Sequence, residues 1–135
     1  MLFRSGLYDI CERITTAFPE LFIEGCASGG CRFDPGVAYY FPQLWTSDCS
    51  DAYIRTIVQY GTSLCYPLSM QSCHVSVSPN HQCGRITPIS SRADVAHLGA
   101  TGYELDMSIL AQEEIGQVKR QVFEYKEMEI GRAHV

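Results

Sequence analysis

The chain has no apolar run near the ~20 residues that a membrane-spanning helix needs, so no membrane partner is expected. Positive charge is scarce. Ten Lys and Arg stand against fifteen Asp and Glu, a formal net charge of −5, and the basic residues form no stripe. A phosphate backbone would find little to bind, so nucleic acid is not an expected partner. The opening MLFR lacks the apolar core and small-residue cleavage site of a secretory signal, so a soluble, cytoplasmic protein is expected. Neither GxGxxG nor a phosphate loop ending in Lys-Ser/Thr occurs, and no CxxC occurs. These gaps leave no standard signature for a dinucleotide, a nucleoside triphosphate or a zinc finger, and no cofactor or metal is expected.

What remains is ordinary globular material. The 135 residues are 46% hydrophobic and 19% charged, which suits one folded domain. Seven cysteines are many, but an odd number without a secretory signal argues against a disulfide framework. Most are expected to pack as small buried thiols.

Periodicity predicts alternating helices and strands. Phe3, Leu7, Ile10 and Ile14 make a helical stripe over 2–17, and 21–23 (LFI) reads as a short buried strand after Pro19. Residues 25–42 hold four glycines and two prolines and read as a long functional loop. A second strand is expected at 44–47. Next comes a helix over 51–60, capped by Ser50, with Ile54, Ile57 and Val58 inward and a stop at Gly61. Residues 62–68 read as a third strand, 69–90 as loop, and Ser91 as the cap of a short helix reaching Leu98. A fourth strand at 99–105 and a helix over 108–127, with Ile115, Val118, Val122 and Tyr125 on one stripe, complete the chain. Strands that alternate with helices predict an α/β fold with a parallel sheet.

Chemistry concentrates between residues 21 and 55. An apolar strand that stops at a carboxylate is how such folds place catalytic groups. Asp48 and Asp51, beside Trp45, are the candidates: either could be a general acid or simply cap the next helix, and the roles could be split. Arg32 and Arg55 could hold carboxylates or hydrogen-bond a polyhydroxylated ligand, or form ordinary ion pairs. Gly29 and Gly30, inside CASGGC, let backbone approach a ligand closely. Tyr39, Tyr40 and Phe41 could be core or a sugar platform. Cys73, His74, His81 and Cys83 invite a zinc reading, since thiolate and imidazole are preferred ligands, but their spacing fits no standard site.

C-x-x-G-x-x-R (Cys26, Gly29, Arg32) followed by S-D-x-x-D-x-x-x-R (Ser47, Asp48, Asp51, Arg55) resembles the bacterial α-galactosidases of glycoside hydrolase family 36. The resemblance runs from about residue 7 to 128 through QYGTSLCYPLS, HVS, PNHQ and GYELD, in order. It implies a TIM barrel and retaining hydrolysis of terminal α-galactosides such as melibiose and raffinose, small-molecule substrates. By resemblance Asp48 is the catalytic acid/base. Cys26 and Gly29 meet the galactose hydroxyls, while Arg32, Asp51 and Arg55 contact substrate or hold the site in shape. Cys31, Cys49, Cys73 and Cys83 stand where relatives more often carry Gly, Asn, Ala and Thr, which weakens the zinc reading.

One departure matters most. The family's nucleophile is the Asp of a K-W-D-x-N motif on an earlier strand, and no such motif occurs here. The expectation is therefore the C-terminal half of a (β/α)8 barrel, strands five to eight, in residues 1–128, carrying the acid/base without the nucleophile. Residues 129–135 (EIGRAHV), one back-translation of which reads as a sequencing-adapter end, are expected to be a non-native tail. The resemblance leaves an N-acetylgalactosaminidase, a galactosyl-transferring relative and a homo-oligomeric full-length enzyme open. A non-enzymatic metal-binding module is the remaining alternative.

Overall fold

The computed structural model describes residues 2–26 and 33–133, with side chains described for 5–26 and 33–129. Nine elements alternate as α1 (Leu2–Ala17), β1 (Glu24–Gly25), α2 (Pro35–Tyr40), β2 (Gln43–Trp45), α3 (Ala52–Ser63), β3 (Gln71–Ser76), α4 (Ile89–Ala96), β4 (Ala100–Glu104) and α5 (Gln112–Ala133). Short 3-10 turns at Leu68–Met70 and Met107–Ile109 lead into β3 and α5. The strands form one sheet in the order β1-β2-β3-β4, each pair parallel. Sequential order with a helical return before each new strand is the arrangement of an arc of a barrel. Among the described residues no helix is long and apolar enough to cross a membrane.

The core lies where β3 meets α4 and α5. Cys73 and Val75 point from β3 onto Ile89, Ala93 and Ala96, with Val118 of α5 closing the cluster and Tyr103, Leu105, Leu110 and Val122 packed around it. Small residues on α4 let the helix sit close to the strand, and each fully buried Val or Ile contributes ~1.5–3 kcal/mol. Arg92, buried on α4, donates to the Ser76 carbonyl and to the Thr87 carbonyl at 3.0 Å, which ties the end of β3 to the start of α4. Burial pushes its guanidinium pKa down, with Glu114 opposing. Tyr125 and Gln121 of α5 bond to Gly99 and Tyr103, so the predicted α5 stripe does face the sheet.

Several elements differ from the sequence expectations. The strand expected at 62–68 is instead the end of α3 and a turn. Tyr66 N–H returns to the Thr62 carbonyl, and the real β3 is QSCHVS, within the stretch expected to be loop. Its polar residues misled the pattern because β3 is buried on both faces, with His74 and its neighbours at i±2 turned away from the helices. In α3 the cap is Asp51, whose Oδ2 accepts from Ile54 N–H at 3.2 Å. Its inner face is Ala52, Arg55 and Gln59, while Ile54 and Ile57 are exposed. Ile10 and Ile14 of α1 are likewise exposed, and among its described side chains Cys11 is the buried one. β1 falls on Glu24–Gly25, after the apolar 21–23. α2 interrupts the expected loop because Asp34 caps it, accepting from Gly36 and Val37 N–H, and Pro35 supplies a first residue already set for a helix. Helix α5 continues through residues 129–133.

Candidate active site

A cleft of about 470 Å³ opens at the C-terminal ends of the four strands. β1 contributes Glu24 and then Cys26; β2 contributes Trp45 and, three residues on, Asp48. His74 comes from β3 and His81 from the loop after it, while β4 supplies Tyr103 and Glu104. Parallel strands place their C-terminal ends on one rim, so four separate stretches of sequence meet there. Three carboxylates and two imidazoles can exchange protons and hydrogen-bond hydroxyls.

The walls are held from behind. Trp45 packs against the His74 imidazole, with ring centroids 4.5 Å apart, and against the Arg55 guanidinium, 4.6 Å from the ring centre. His74 Nδ1 lies 3.7 Å from Glu104 Oε2. Gly102, opposite His74 on β4, makes room for that ring: a Cβ there would sit 2.8 Å from His74 Cδ2. Gly102→Val should therefore overpack the cleft floor and cost ~1–3 kcal/mol, read as a lower Tm; an unchanged Tm would mean the ring yields freely. The Tyr103 hydroxyl donates to Gln121 Oε1 at 3.0 Å, and burial raises its pKa, so it works as a neutral donor within the fold.

The two aspartates and the arginine of the second motif have different surroundings. Asp48 is exposed on the cleft, while Asp51 is 2% exposed, caps α3 and pairs with Arg85 Nε at 3.2 Å. Arg55 is also buried. Its guanidinium donates to Gln59 Oε1 at 3.1 Å, to the Ser47 carbonyl at 3.1 Å and to the Ser72 carbonyl at 2.8 Å. Neither Asp51 nor Arg55 lines the cleft. Cys26 does, and Gly29 and Arg32 lie outside the described residues. Tyr39 is 80% exposed and away from the cleft, so the aromatic run is no platform for it.

Five lining residues were not singled out for the site from sequence: Glu24, His74, His81, Tyr103 and Glu104. For His74 the cause is the misplaced third strand; Glu104 carried a signal, a carboxylate closing an apolar strand. The zinc set is not assembled. Cys73 and His74 are adjacent on a strand and point to opposite faces, the thiol into the core, where burial pushes its pKa up against the pull of Arg55. Among the described residues no three His, Cys, Asp or Glu converge as a metal site.

The melibiase family model matches residues 2–131. The chain belongs to the melibiase family. The α-galactosidase Mel36A of Lactobacillus acidophilus is 54% identical over 123 residues, which is 91% of this chain and 17% of that enzyme. α-Galactosidase 1 of Pediococcus pentosaceus is 53% identical over the same shares. The galactosidase domain of the Mediterraneibacter gnavus α-galactosidase/sucrose kinase superposes with a TM-score of 0.90 at 48% identity, covering 92% of this chain and 17% of that one. The family 36 α-galactosidase AgaA of Geobacillus stearothermophilus, solved with raffinose, superposes at 0.88 and 49% identity, covering 90% and 17%. This melibiase chain thus spans about a sixth of the length of those relatives. Its four parallel strands with helices are an α/β partial TIM barrel, as the sequence led one to expect.

Proposed function

We propose that this chain supplies the acid/base side of a retaining α-galactosidase site, completed by barrel strands carried elsewhere in a longer enzyme. The observation that supports it is Asp48 on the cleft, beside Cys26, at the C-terminal rim of the arc. The substrates are oligosaccharides ending in α-D-galactose; a relative of 49% identity was solved with raffinose and one of 50% with stachyose.

In this reading a second carboxylate, contributed by another strand ~5–5.5 Å from Asp48, attacks the anomeric carbon. The bond to the leaving oxygen breaks as Asp48 gives that oxygen its proton. The resulting Asp48 carboxylate then takes a proton from water. The hydroxide so formed displaces the carboxylate from the sugar, and galactose leaves with its configuration retained. Cys26 and Gly29 meet the sugar hydroxyls, and Arg32 contacts the substrate or holds the site in shape. Asp51 and Arg55 hold the rim in shape from their buried positions.

The reading predicts that the 135-residue chain alone releases no p-nitrophenol from p-nitrophenyl α-galactoside. A complete enzyme, made by placing residues 7–128 into the matching stretch of Mel36A, should release it. Turnover by the chain alone would show that both carboxylates are already present. A folded but inactive chimera would remove the α-galactosidase reading.

A further inference from the structure

The loop between β3 and α4 turns back over the backbone that carries Asp48 and holds it through one side chain. Gln82 Nε2 donates to the Asp48 carbonyl at 2.7 Å, and Gln82 Oε1 accepts from Ser50 N–H at 2.9 Å. A carbonyl at one residue and an N–H two residues on are the pair a neighbouring strand engages. Here one primary amide, which offers both a donor and an acceptor, takes that place.

Gln82 is itself fixed. Its N–H and that of Cys83 donate to Asn80 Oδ1 at 3.0 and 3.2 Å, and Asn80, 4% exposed, donates through Nδ2 to Ser50 Oγ at 3.1 Å. The turn closes where Gly84, at φ +71, donates to the Asn80 carbonyl at 2.7 Å; a side chain there would be strained. From β3, Ser76 Oγ donates to the Ser50 carbonyl at 2.7 Å. Gln82 is exposed and contributes nothing to the apolar core. What its amide engages is the backbone of residues 48–50.

We propose that Gln82 is the positioning residue for Asp48, acting through the backbone on either side of Cys49 to set where the carboxyl group stands in the cleft. This rests on the acid/base reading of Asp48. Proton transfer requires the carboxyl within ~2.6–3.2 Å of the glycosidic oxygen, and a misplacement of ~1 Å can cost ~10²-fold. Without Gln82 the carboxyl keeps its chemistry and loses its place.

The test uses the complete enzyme and Gln82→Met, similar in length and without amide hydrogen bonds. On melibiose, whose leaving group needs the proton, kcat/KM should fall ~10–100-fold. On p-nitrophenyl α-galactoside, whose phenolate leaves unaided, it should change by less than about threefold. Gln82→Glu keeps the acceptor for Ser50 N–H and should fall between. Added to Asp48→Asn, Gln82→Met should cause no further loss on melibiose, because its effect passes through the Asp48 carboxyl.

Equal losses on both substrates, or a full further loss in the Asp48→Asn background, would overturn the positioning role in favour of a general structural one. If Asp48→Asn itself shows no dependence on the leaving group, the acid/base reading falls and this proposal with it. If Asp48→Asn behaves as expected and Gln82→Met does not, only the positioning role falls. Should Gln82→Met fail to fold, Gln82→Glu carries the same comparison.

Discussion

Asp48→Asn in the complete enzyme is expected to lower kcat/KM on melibiose by ~10²–10⁴-fold, the usual contribution of a positioned general acid. The amide keeps the shape of the carboxyl group and its exposed position on the cleft rim, and removes the acidic proton and the basic carboxylate. Substrates should therefore separate by leaving group. The sugar released from melibiose departs as an alkoxide unless protonated, whereas p-nitrophenolate is stable, so the glycosylation step of the aryl substrate should be much less affected. The second half-reaction still needs a base to activate water, so the glycosyl-enzyme should accumulate, visible as a burst of p-nitrophenol followed by slow turnover. Added azide, a nucleophile that needs no base, should relieve that slow phase and give galactosyl azide. Equal losses on both substrates in the glycosylation step would mean that Asp48 only supports the cleft.

How legible this was follows from where the polar residues sit. α1, α5 and the parallel α/β alternation could be read because apolar periodicity and strand–helix order are local properties. Asp48 and Cys26 were legible through their motif, and both line the cleft. β3 was not. A strand whose one face lines a polar cleft and whose other packs against a helix spells QSCHVS, and no hydrophobic pattern marks it. His74 was hidden with it. The inner face of α3 failed for a related reason: its buried positions are Ala52, Arg55 and Gln59, of which Arg55 donates to the Ser47 and Ser72 carbonyls and Gln59 to the Val95 carbonyl of α4, while Ile54 and Ile57 look outward. In each case the residues that build the site break the rule that builds the fold. The role of Gln82 needed coordinates, since 34 residues separate it from the Asp48 carbonyl that it holds.

Arg55→Ala is expected to destabilise the complete enzyme by ~3–5 kcal/mol, the range seen when one member of a buried polar set is removed. Arg55 is 3% exposed, and its charge is met by the carbonyls of Ser47 and Ser72, the Gln59 amide oxygen and the face of Trp45. Removing it strands the part-buried Ser47 carbonyl just past β2 and the buried Ser72 carbonyl near the start of β3, leaves a cavity under Trp45 and frees the turn that leads to Asp48. Tm should drop by roughly 6–20 °C at ~2–4 °C per kcal/mol. Arg55→Lys keeps the charge but lacks the planar fork that reaches Ser47 and Ser72 together, so it should recover only part of the loss. The measurement also decides between the two roles open to this motif position. A scaffold residue lowers Tm in both variants and kcat only as the rim loosens, leaving the KM for melibiose within a few-fold in whatever folds. A substrate contact would do the reverse, raising KM steeply at an unchanged Tm, and that result would move Arg55 from behind the cleft wall into the cleft.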